Sequence, residues 1–564
     1  MDYKLEISKV LNGLDIGMEV EEIYLSMEVP PNKEMGDYAF PCFRLAKTFR
    51  KSPNMIAEDL KDKIKSDLLA EVKNVGPYLN FFIDKQKLAE YTLVEVFKKA
   101  EQYGSSNMGE GKNIIVEYSS TNIAKPFHIG HIRSTVQGDS LKRIHKHLGY
   151  NTIAINYLGD YGTQFGILIS AYRRWGDKQA INEDPINELL KLYVRYNKEA
   201  EDQPEMMDEA RDWFNKLENK NEEAVELWSW FKDISLKEFK RVYDLLNIEF
   251  DSYDGEHYHS QFISSVIEEL EEKNLLVDSE NAKIVDLSEK DVAPALIVKS
   301  NGSSTYITRD IATAIYRKEH YKFDENIYVV ATQQNLHFQQ LKYVLEKMGY
   351  DWYDQCHHVA FGMVGLKDGT MSTRKGKVVF LEDVLNQSID KTLSIIEERN
   401  PDLENKEEVA KQIGIGAIKF QELFNNRIKD YTFDWDEILN FEGETGPYVQ
   451  YTYARANSIL NKYGQDVVSD VDFSFINSKE EMELVMAIYN LPQVIVNAKN
   501  KYEPSLITRH LTEIAKAFNK FYNTTHILNL EENEKKAKIL LVYATKMSIG
   551  VGMNLLGIDC PEKM

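Results

Sequence analysis

Short apolar runs and helical periodicity alternate along the middle of the chain. The run Ile114–Val116 is followed by a loop, by a helical stretch and by a second apolar run, Thr152–Ile155. The helical stretch has one apolar stripe, formed by Ile132, Val136, Leu141, Ile144 and Leu148. This order predicts a βαβ unit. Later strand-like runs predict the other half of a doubly wound parallel sheet, and they are Ala293–Lys299, Ile327–Ala331 and His358–Phe361.

The text between the two halves is acidic and largely helical from about Asp177 to Asp286, which indicates an insertion. Before the βαβ unit, helical periodicity near Ala57–Leu69 precedes a strand-like run, Tyr78–Ile83. After Gly446 the apolar residues keep helical spacing to the last residue. We therefore predict a multidomain α/β protein: an N-terminal α/β domain (1–108), a split Rossmann-like parallel-sheet domain (109–445, with its helical insertion at about 177–286) and a C-terminal all-α domain (446–564).

The composition of the chain limits the kinds of molecule that the protein is expected to bind. The 564 residues carry a net charge of −22, which argues against indiscriminate binding of nucleic acid. The segment 492–564 is mildly basic. Three scattered cysteines are too few for a disulfide framework or a four-ligand zinc site, so we expect a cytoplasmic protein without a structural metal. Because no stretch approaches the roughly 18 apolar residues of a membrane span, we expect no membrane association.

The sharpest motif lies between the first strand and the helix of the βαβ unit. It reads NIAKPFHIGH and spans Asn122–His131. A loop at the carboxyl end of a parallel strand opens toward a ligand crevice, and the following helix N-terminus favours phosphate. His128 and His131 can both donate to a phosphate oxygen, Gly130 lets a flat base approach the backbone, and Lys125 adds a positive charge. A pair of structural or metal-binding histidines is the alternative interpretation.

These residues resemble a known family, the class I aminoacyl-tRNA synthetases, whose first signature is His-Ile-Gly-His. The longer strings Glu117–Thr135 and Asn156–Gly166 resemble the arginyl-tRNA synthetase version. The resemblance implies ATP-dependent ligation of L-arginine to tRNA(Arg) through an arginyl-adenylate, with release of pyrophosphate and AMP. It also implies that Mg²⁺ accompanies ATP, and that arginine activation requires bound tRNA.

A second basic loop, Gly369–Lys377, is not a Walker loop, because Met371 takes the first glycine position and Val378 follows Lys377. It resembles the family's Lys-Met-Ser-Lys-Ser loop, which closes over ATP. Threonines occupy both lysine positions of that loop, so which cation acts there stays open. The resemblance implies that Met371 and Lys375 contact ATP, and that Ser372, Arg374 and Lys375 join Lys125, His128 and His131 in catalysis.

An arginine substrate requires acceptors at fixed positions, and buried carboxylates supply them best. Tyr306 and Asp310 are four residues apart and share a face if a helix begins there. The resemblance implies that Glu117, Tyr306 and Asp310 line the arginine side-chain pocket. It also implies that Asn122, His128 and Gln334 hold the amino and carboxylate end of the substrate.

Two further regions extend the resemblance over nearly the whole chain. Tyr78 and Asn80 would be tRNA contacts of the N-terminal domain, although a plain β-hairpin core explains them equally well. The helical domain resembles an anticodon-binding domain, with Tyr448, Tyr451 and Met564 near the loop bases.

We predict a monomeric arginyl-tRNA synthetase. The alternatives are a small-substrate nucleotidylyltransferase, which the appended domains disfavour, and a non-catalytic tRNA-binding scaffold, which the intact His128, His131, Lys125, Glu117 and Asp310 disfavour. A cysteinyl enzyme is disfavoured because its zinc site needs more cysteine ligands than this chain places together.

Overall fold

The structure is a computed structural model that describes residues 2–366, 379–434, 438–440 and 443–564. Helices dominate these ranges. They are α1 (Tyr3–Asn12), α2 (Val20–Ser26), α3 (Ala46–Phe49), α4 (Pro53–Lys61), α5 (Lys85–Lys99), α6 (Ile132–His147), α7 (Thr163–Trp175), α8 (Lys178–Glu183), α9 (Pro185–Asp202), α10 (Glu205–Glu218), α11 (Glu222–Leu245), α12 (Glu256–Ser260), α13 (Ile263–Glu272), α14 (Tyr306–Tyr321), α15 (Asn335–Lys347), α16 (Leu381–Arg399), α17 (Lys406–Phe424), α18 (Gly446–Tyr463), α19 (Lys479–Lys501), α20 (Ser505–Thr524) and α21 (Glu532–Leu555).

The strands are short and form four separate sheets within the described ranges. They are β1 (Tyr38–Pro41), β2 (Leu69–Val75), β3 (Tyr78–Ile83), β4 (Asn113–Glu117), β5 (Asn151–Ile155), β6 (Leu276–Ser279), β7 (Ala282–Val285), β8 (Ala295–Val298), β9 (Glu325–Tyr328), β10 (Cys356–His358), β11 (Val364–Leu366) and β12 (Tyr431–Phe433).

The chain divides into two compact units. One comprises residues 1–103, 455–491 and 513–549, and the other comprises residues 104–454, 492–512 and 550–564. The C-terminal helices α18 to α21 contribute residues to both units. Each helix in the described part of the chain is too short or too polar to cross a lipid bilayer.

The second unit contains the predicted parallel sheet. Its order is β10-β9-β4-β5, and every neighbouring pair is parallel. Ile114, Ile115 and Val116 of the central strand β4 are all fully buried, because helices cover both faces of such a sheet. The predicted βαβ unit is therefore confirmed as β4, α6 and β5, and the predicted α/β fold class is confirmed with it.

One predicted strand of this sheet is wrong. The run Ala293–Lys299 contains β8, which lies in a separate antiparallel sheet of order β6-β7-β8. Glu280 and Asn281 both have positive φ, which suits the tight hairpin that joins β6 to β7. Strand β7 of this hairpin pairs with β8, so the apolar run of β8 forms a strand without joining the parallel sheet.

The first unit contains an antiparallel sheet of order β1-β3-β2. The predicted strand at Tyr78–Ile83 is confirmed as β3. The predicted helix near Ala57–Leu69 ends earlier, at Lys61, and Leu69 already begins β2. The residues of β2 are intermediate or exposed, so its pattern carries little apolar signal.

Helix α6 packs unusually closely on the end of β4. A Cβ atom on Gly138 would lie 2.1 Å from the Tyr118 ring, so only glycine fits there. The predicted stripe of apolar residues is buried, but Arg133, Gln137 and Asp139 on other faces of the helix are buried as well. The first turns of α6 are therefore enclosed on all sides.

Candidate active site

The candidate site lies at the carboxyl end of the parallel sheet, where β4 leads into α6. The connecting loop has positive φ at Ser119, Ser120 and Ala124, a conformation that costs about 1–3 kcal/mol per residue outside glycine. The loop is held by hydrogen bonds: the Ser119 N–H donates to Ser134 Oγ at 2.9 Å, and Ser134 Oγ donates to the Val329 carbonyl at 2.8 Å. The beginning of α6 is thus joined to the ends of both β4 and β9.

His128 and His131 form a tight pair at this point. The Gly130 N–H donates to His128 Nδ1, and the His128 N–H donates to His131 Nδ1, each at 3.1 Å. The two rings lie 3.9 Å apart between centroids. Because each Nδ1 accepts a hydrogen bond, the ring proton of each histidine resides on Nε2. The two rings are therefore preorganised donors.

Both histidines are neutral at physiological pH. Burial lowers the pKa of His128 to about 4. Burial, with the neighbouring His128 as a smaller cause, lowers the pKa of His131 to about 3. The pair can stabilise a growing negative charge through N–H hydrogen bonds and not through full positive charges. Lys125 supplies a full charge nearby, with its ammonium 6.0 Å from the Tyr193 ring centroid.

Glu117 closes β4 and is buried, as its predicted role requires. Its partner was not predicted: Arg317 Nη1 on α14 lies 2.6 Å from Glu117 Oε2, and both side chains are almost fully enclosed. Burial raises the pKa of the Glu117 carboxyl, while the Arg317 guanidinium opposes that change. Glu117 thus has a permanent cation on one side.

Tyr306 and Asp310 occupy the first turns of α14, so the condition under which the two residues share a face, a helix that begins at Tyr306, is met. Tyr306 is 68% exposed, and the Arg309 guanidinium lies 4.6 Å from its ring centroid. Asp310 Oδ2 lies 2.5 Å from Nε2 of His337, a residue of α15 that the sequence analysis did not single out.

Glu256, at the start of α12, is a further carboxylate that the sequence analysis missed. Its Oε2 lies 3.5 Å from Arg309 Nε. Burial, opposed by the Arg309 guanidinium and aided by the charges of Asp310 and Asp160, raises the pKa of Glu256 to about 7. The charge of Asp310 also raises the pKa of Glu117, so the three carboxylates Glu117, Glu256 and Asp310 share one region of the site. In the sequence, Glu256 is marked only by the glycine that precedes it, and a Gly-Glu pair is too common to identify a functional residue.

Asn122 and Gln334 lie at the same edge of the sheet. Asn122 is exposed and forms a parallel bridge with Gly159, where a Cβ atom would lie 2.4 Å from Asn122 Oδ1. Gln334 is exposed in a single 3₁₀ turn that follows β9. The structure therefore brings the predicted residues of β4, α14 and the β9 loop to one edge.

The predicted second loop lies outside the described residues, which includes Met371, Ser372, Arg374 and Lys375. The described residues that follow it contact the histidine signature directly. The Ile129 N–H donates to the Val379 carbonyl at 3.1 Å, and the Leu381 N–H donates to the Phe127 carbonyl at 2.9 Å.

A buried charged cluster holds the first turn of α6, and the sequence analysis did not predict it. Arg133 Nε lies 2.7 Å from Glu422 Oε1, and both side chains are fully buried. Arg133 Nη1 also donates to the Gly362 carbonyl at 3.0 Å and to the Lys429 carbonyl at 2.7 Å. These bonds join α6, two residues after His131, to the segments that precede β11 and β12.

The predicted tRNA contacts differ in exposure. Tyr78 is partly exposed and packs edge-on against Phe43. Asn80 is 1% exposed, and its amide donates to the Met35 carbonyl, as the plain β-core alternative requires. Tyr451 is exposed, Tyr448 is partly exposed, and Met564 packs partly buried against the cluster around Ile413.

No group of three or more histidine, cysteine, aspartate or glutamate side chains in the described ranges could hold a metal ion. All three cysteines are free.

In a comparison with known proteins, models of three protein families match consecutive parts of the chain. A family model described as tRNA synthetases class I (R), catalytic domain, matches residues 92–435. A DALR anticodon binding domain model matches residues 449–564, and an arginyl tRNA synthetase N terminal domain model matches residues 1–83. The fold is thus that of the class I aminoacyl-tRNA synthetases.

Individual relatives are more specific. Arginine–tRNA ligases of Halothermothrix orenii and Clostridioides difficile are 56% and 55% identical to this chain over the full length of both proteins. The solved arginyl-tRNA synthetase of Thermus thermophilus has a TM-score of 0.81 at 25% identity and covers 99% of this chain and 98% of its own. The chain belongs to the arginyl-tRNA synthetase family, and the resemblance noted in its motifs is confirmed.

Proposed function

We propose that this chain ligates L-arginine to tRNA(Arg) in two steps. The arginine carboxylate attacks the α-phosphate of ATP and pyrophosphate leaves; the terminal ribose hydroxyl of the tRNA then attacks the arginyl-adenylate and AMP leaves. The observation that carries this proposal is the presence of Glu117 and Asp310 at the same sheet edge as the paired donors His128 and His131. A cationic amino acid and a nucleotide phosphate thereby have complementary groups within one site.

Glu117, Tyr306 and Asp310 form the proposed pocket for the arginine side chain, and Glu256 adds a third carboxylate to it. A guanidinium is planar and always charged, so it pairs with carboxylates in fixed directions. A neutral side chain of similar shape would leave these carboxylates unneutralised, which disfavours its binding. Asn122, His128 and Gln334 would hold the amino and carboxylate groups of the substrate.

The phosphate end of the site would use the helix start. Gly130 leaves space for the nucleotide, and His128 and His131 donate to the α-phosphate as its charge grows during displacement. Lys125 adds a fixed charge. From sequence alone, Met371 and Lys375 would contact ATP, and Ser372, Arg374 and Lys375 would stabilise the leaving pyrophosphate. We expect Mg²⁺ to enter with ATP as a counterion of its phosphates.

The appended parts would bind tRNA. We propose an N-terminal tRNA-contacting domain (1–108), a catalytic domain (109–445) and an anticodon-binding domain (446–564). The partial exposure of Tyr78 supports it as a contact, whereas the buried Asn80 would support the strand that carries Tyr78. Tyr448, Tyr451 and Met564 are the proposed contacts of the anticodon loop. We propose that the enzyme is a cytoplasmic monomer, which its three free cysteines and formal charge of −22 support.

Pyrophosphate exchange into ATP tests the proposal. Each of the twenty amino acids is assayed with and without total tRNA. We expect exchange with arginine alone, and only when tRNA is present. Exchange with another amino acid would refute the pocket assignment, and a folded protein that binds tRNA without any exchange would support the scaffold alternative.

A further inference from the structure

His337 contacts Asp310, one of the carboxylates that we assign to the arginine guanidinium. Its Nε2 lies 2.5 Å from Asp310 Oδ2, and the two side chains are 18% and 24% exposed. One of the two Asp310 oxygens is thus already engaged by a side chain of the protein. Only Oδ1 and the remaining lone pair of Oδ2 are left for a ligand.

The contact has two consequences, which depend on the charge of the imidazole. A neutral imidazole donates one hydrogen bond and fixes the Asp310 rotamer, so the carboxylate keeps its full negative charge for a ligand. An imidazolium forms an ion pair that neutralises Asp310, and it would repel a guanidinium brought to the same carboxylate. The same histidine can therefore assist or oppose a cationic substrate.

Resting on the proposed function, we propose that His337 positions Asp310 for the substrate guanidinium and, when it is protonated, competes with arginine for that carboxylate. Arginine binding then releases a proton from His337 whenever the free enzyme carries one. His337 is a positioning residue, because it acts through Asp310.

The surroundings support a titrating histidine here. Burial alone would lower the pKa of His337, but its hydrogen bond to Asp310 and the charge of Glu117 together raise the pKa above the ordinary value of 6.5. Charged or titratable groups on the elements around His337 include Asp310 and Arg317 on α14, Glu117 on β4, Tyr328 on β9 and His358 on β10. Helix α14 also carries Arg309, which is paired with Glu256.

Two of these neighbours can be set aside. Burial raises the pKa of Tyr328 well above 10, so the phenol stays neutral, and burial lowers the pKa of His358, whose Nε2 contacts the Val330 carbonyl at 2.9 Å. Arg317 stays charged. Burial raises the pKa of Glu117, and protonation of Glu117 would also lower the affinity of the enzyme for arginine. Glu256, the third carboxylate of the pocket, has its pKa raised to about 7 and would act in the same direction. A pH effect of His337 must therefore be separated from those of Glu117 and Glu256 by substitution.

The sign of the effect follows from linkage. Arginine, as a cation, favours the neutral imidazole, so its affinity is low where His337 is protonated and rises with pH. The KM for arginine should fall by up to about tenfold per pH unit up to the pKa of His337 in the free enzyme and become flat above it. The KM for ATP should not share this profile.

The test measures pyrophosphate exchange with tRNA present, from pH 6 to 8.5, in the wild type and two variants. His337→Gln keeps a neutral donor near the position of Nε2 and cannot be protonated. We expect its KM for arginine to be close to the alkaline value of the wild type at pH 8.5 and to rise less steeply than the wild-type KM as the pH falls. His337→Ala removes the donor as well, and we expect a KM about tenfold higher at every pH with kcat changed much less.

Three outcomes would overturn the inference. The first is an unchanged pH profile in His337→Gln, which would assign the titration to the carboxylates Glu117 and Glu256. The others are a KM of His337→Ala equal to that of the wild type at pH 8, and equal losses of kcat in both variants. Failure of the proposed function itself looks different, since the wild type would then show no arginine-dependent exchange at any pH. A matched control is His358→Gln, which removes the neighbouring histidine and should keep the profile of the wild type.

Discussion

Asn80 in the N-terminal sheet and Glu117 in the parallel sheet are both buried strand residues, but their partners differ. Asn80 is neutral, and its amide donates to a backbone carbonyl of its own unit. The ion pairs near that sheet, such as Lys73–Glu71, are about half exposed. Glu117 is charged, and it is paired with a guanidinium that is itself almost fully buried.

The difference distinguishes a buried residue that supports the fold from a buried residue that recognises a substrate. A neutral group that bonds to backbone stabilises a local conformation at little cost. A buried ion pair costs desolvation that its own attraction hardly repays, so it is poor evidence for stability. Glu117–Arg317, Arg133–Glu422 and Asp310–His337 all lie in the parallel-sheet unit. The first unit also contains a buried pair, Lys538–Glu481, so buried charge alone does not mark a binding site. Glu117–Arg317 is distinguished by its place at the proposed arginine pocket.

The largest effect should come from leaving a buried charge without its partner. Arg133→Met leaves the Glu422 carboxylate enclosed, which should lower the free energy of unfolding by about 3–5 kcal/mol. Urea-induced unfolding followed by circular dichroism measures this change. The double variant Arg133→Met/Glu422→Met removes both charges and should recover most of the loss. If the double variant is less stable than the single one, the cluster stabilises the fold in its own right and the comparison fails.

The next largest effect concerns substrate recognition. Glu117→Gln keeps the shape of the side chain but removes the charge that faces the proposed guanidinium. We expect kcat/KM for arginine to fall by about 10²–10³, or about 2.7–4 kcal/mol, because a charge-assisted pair is lost and Arg317 is left unpaired. The KM for ATP should change less than threefold. Glu71→Gln in the N-terminal sheet is the matched control, and similar effects on arginine and ATP would contradict the pocket assignment.

The smallest effect belongs to the N-terminal sheet. Asn80→Ala leaves the Met35 carbonyl without its donor and should cost about 1–3 kcal/mol of stability, with no change in the KM for arginine or ATP. Thermal unfolding and exchange assays measure the two quantities. The exposed Lys73→Ala should stay within about 0.5 kcal/mol. A loss of arginine affinity in Asn80→Ala would show that this residue does more than support its sheet.

The predictable part of the molecule was local in the chain. The β4 strand, the histidine signature and the start of α6 are consecutive, so period and motif located them without knowledge of the fold. By contrast, Arg317, Glu256, His337 and Glu422 are common residue types whose importance depends on what lies beside them.

The error at Ala293–Lys299 has the same origin. An apolar run of strand length indicates a buried strand but carries no information about its neighbour. In the structure β8 pairs with the hairpin of β6 and β7 as a third strand, and the parallel sheet forms without it. The helix near Ala57–Leu69 was likewise predicted too long, because β2 is largely exposed and its sequence lacks the alternation of apolar and polar residues that marks a strand.

The sequence by itself determined the family, the βαβ unit of the parallel sheet and the two donors at the start of α6, because those depend on residues that are neighbours in the chain. Only the tertiary structure decided which charges meet. Arg317 reaches Glu117 across 200 residues, and Glu422 reaches Arg133 across 289, as their numbering shows. Burial and pairing across such separations set the charge state of each side chain, and no local pattern records them.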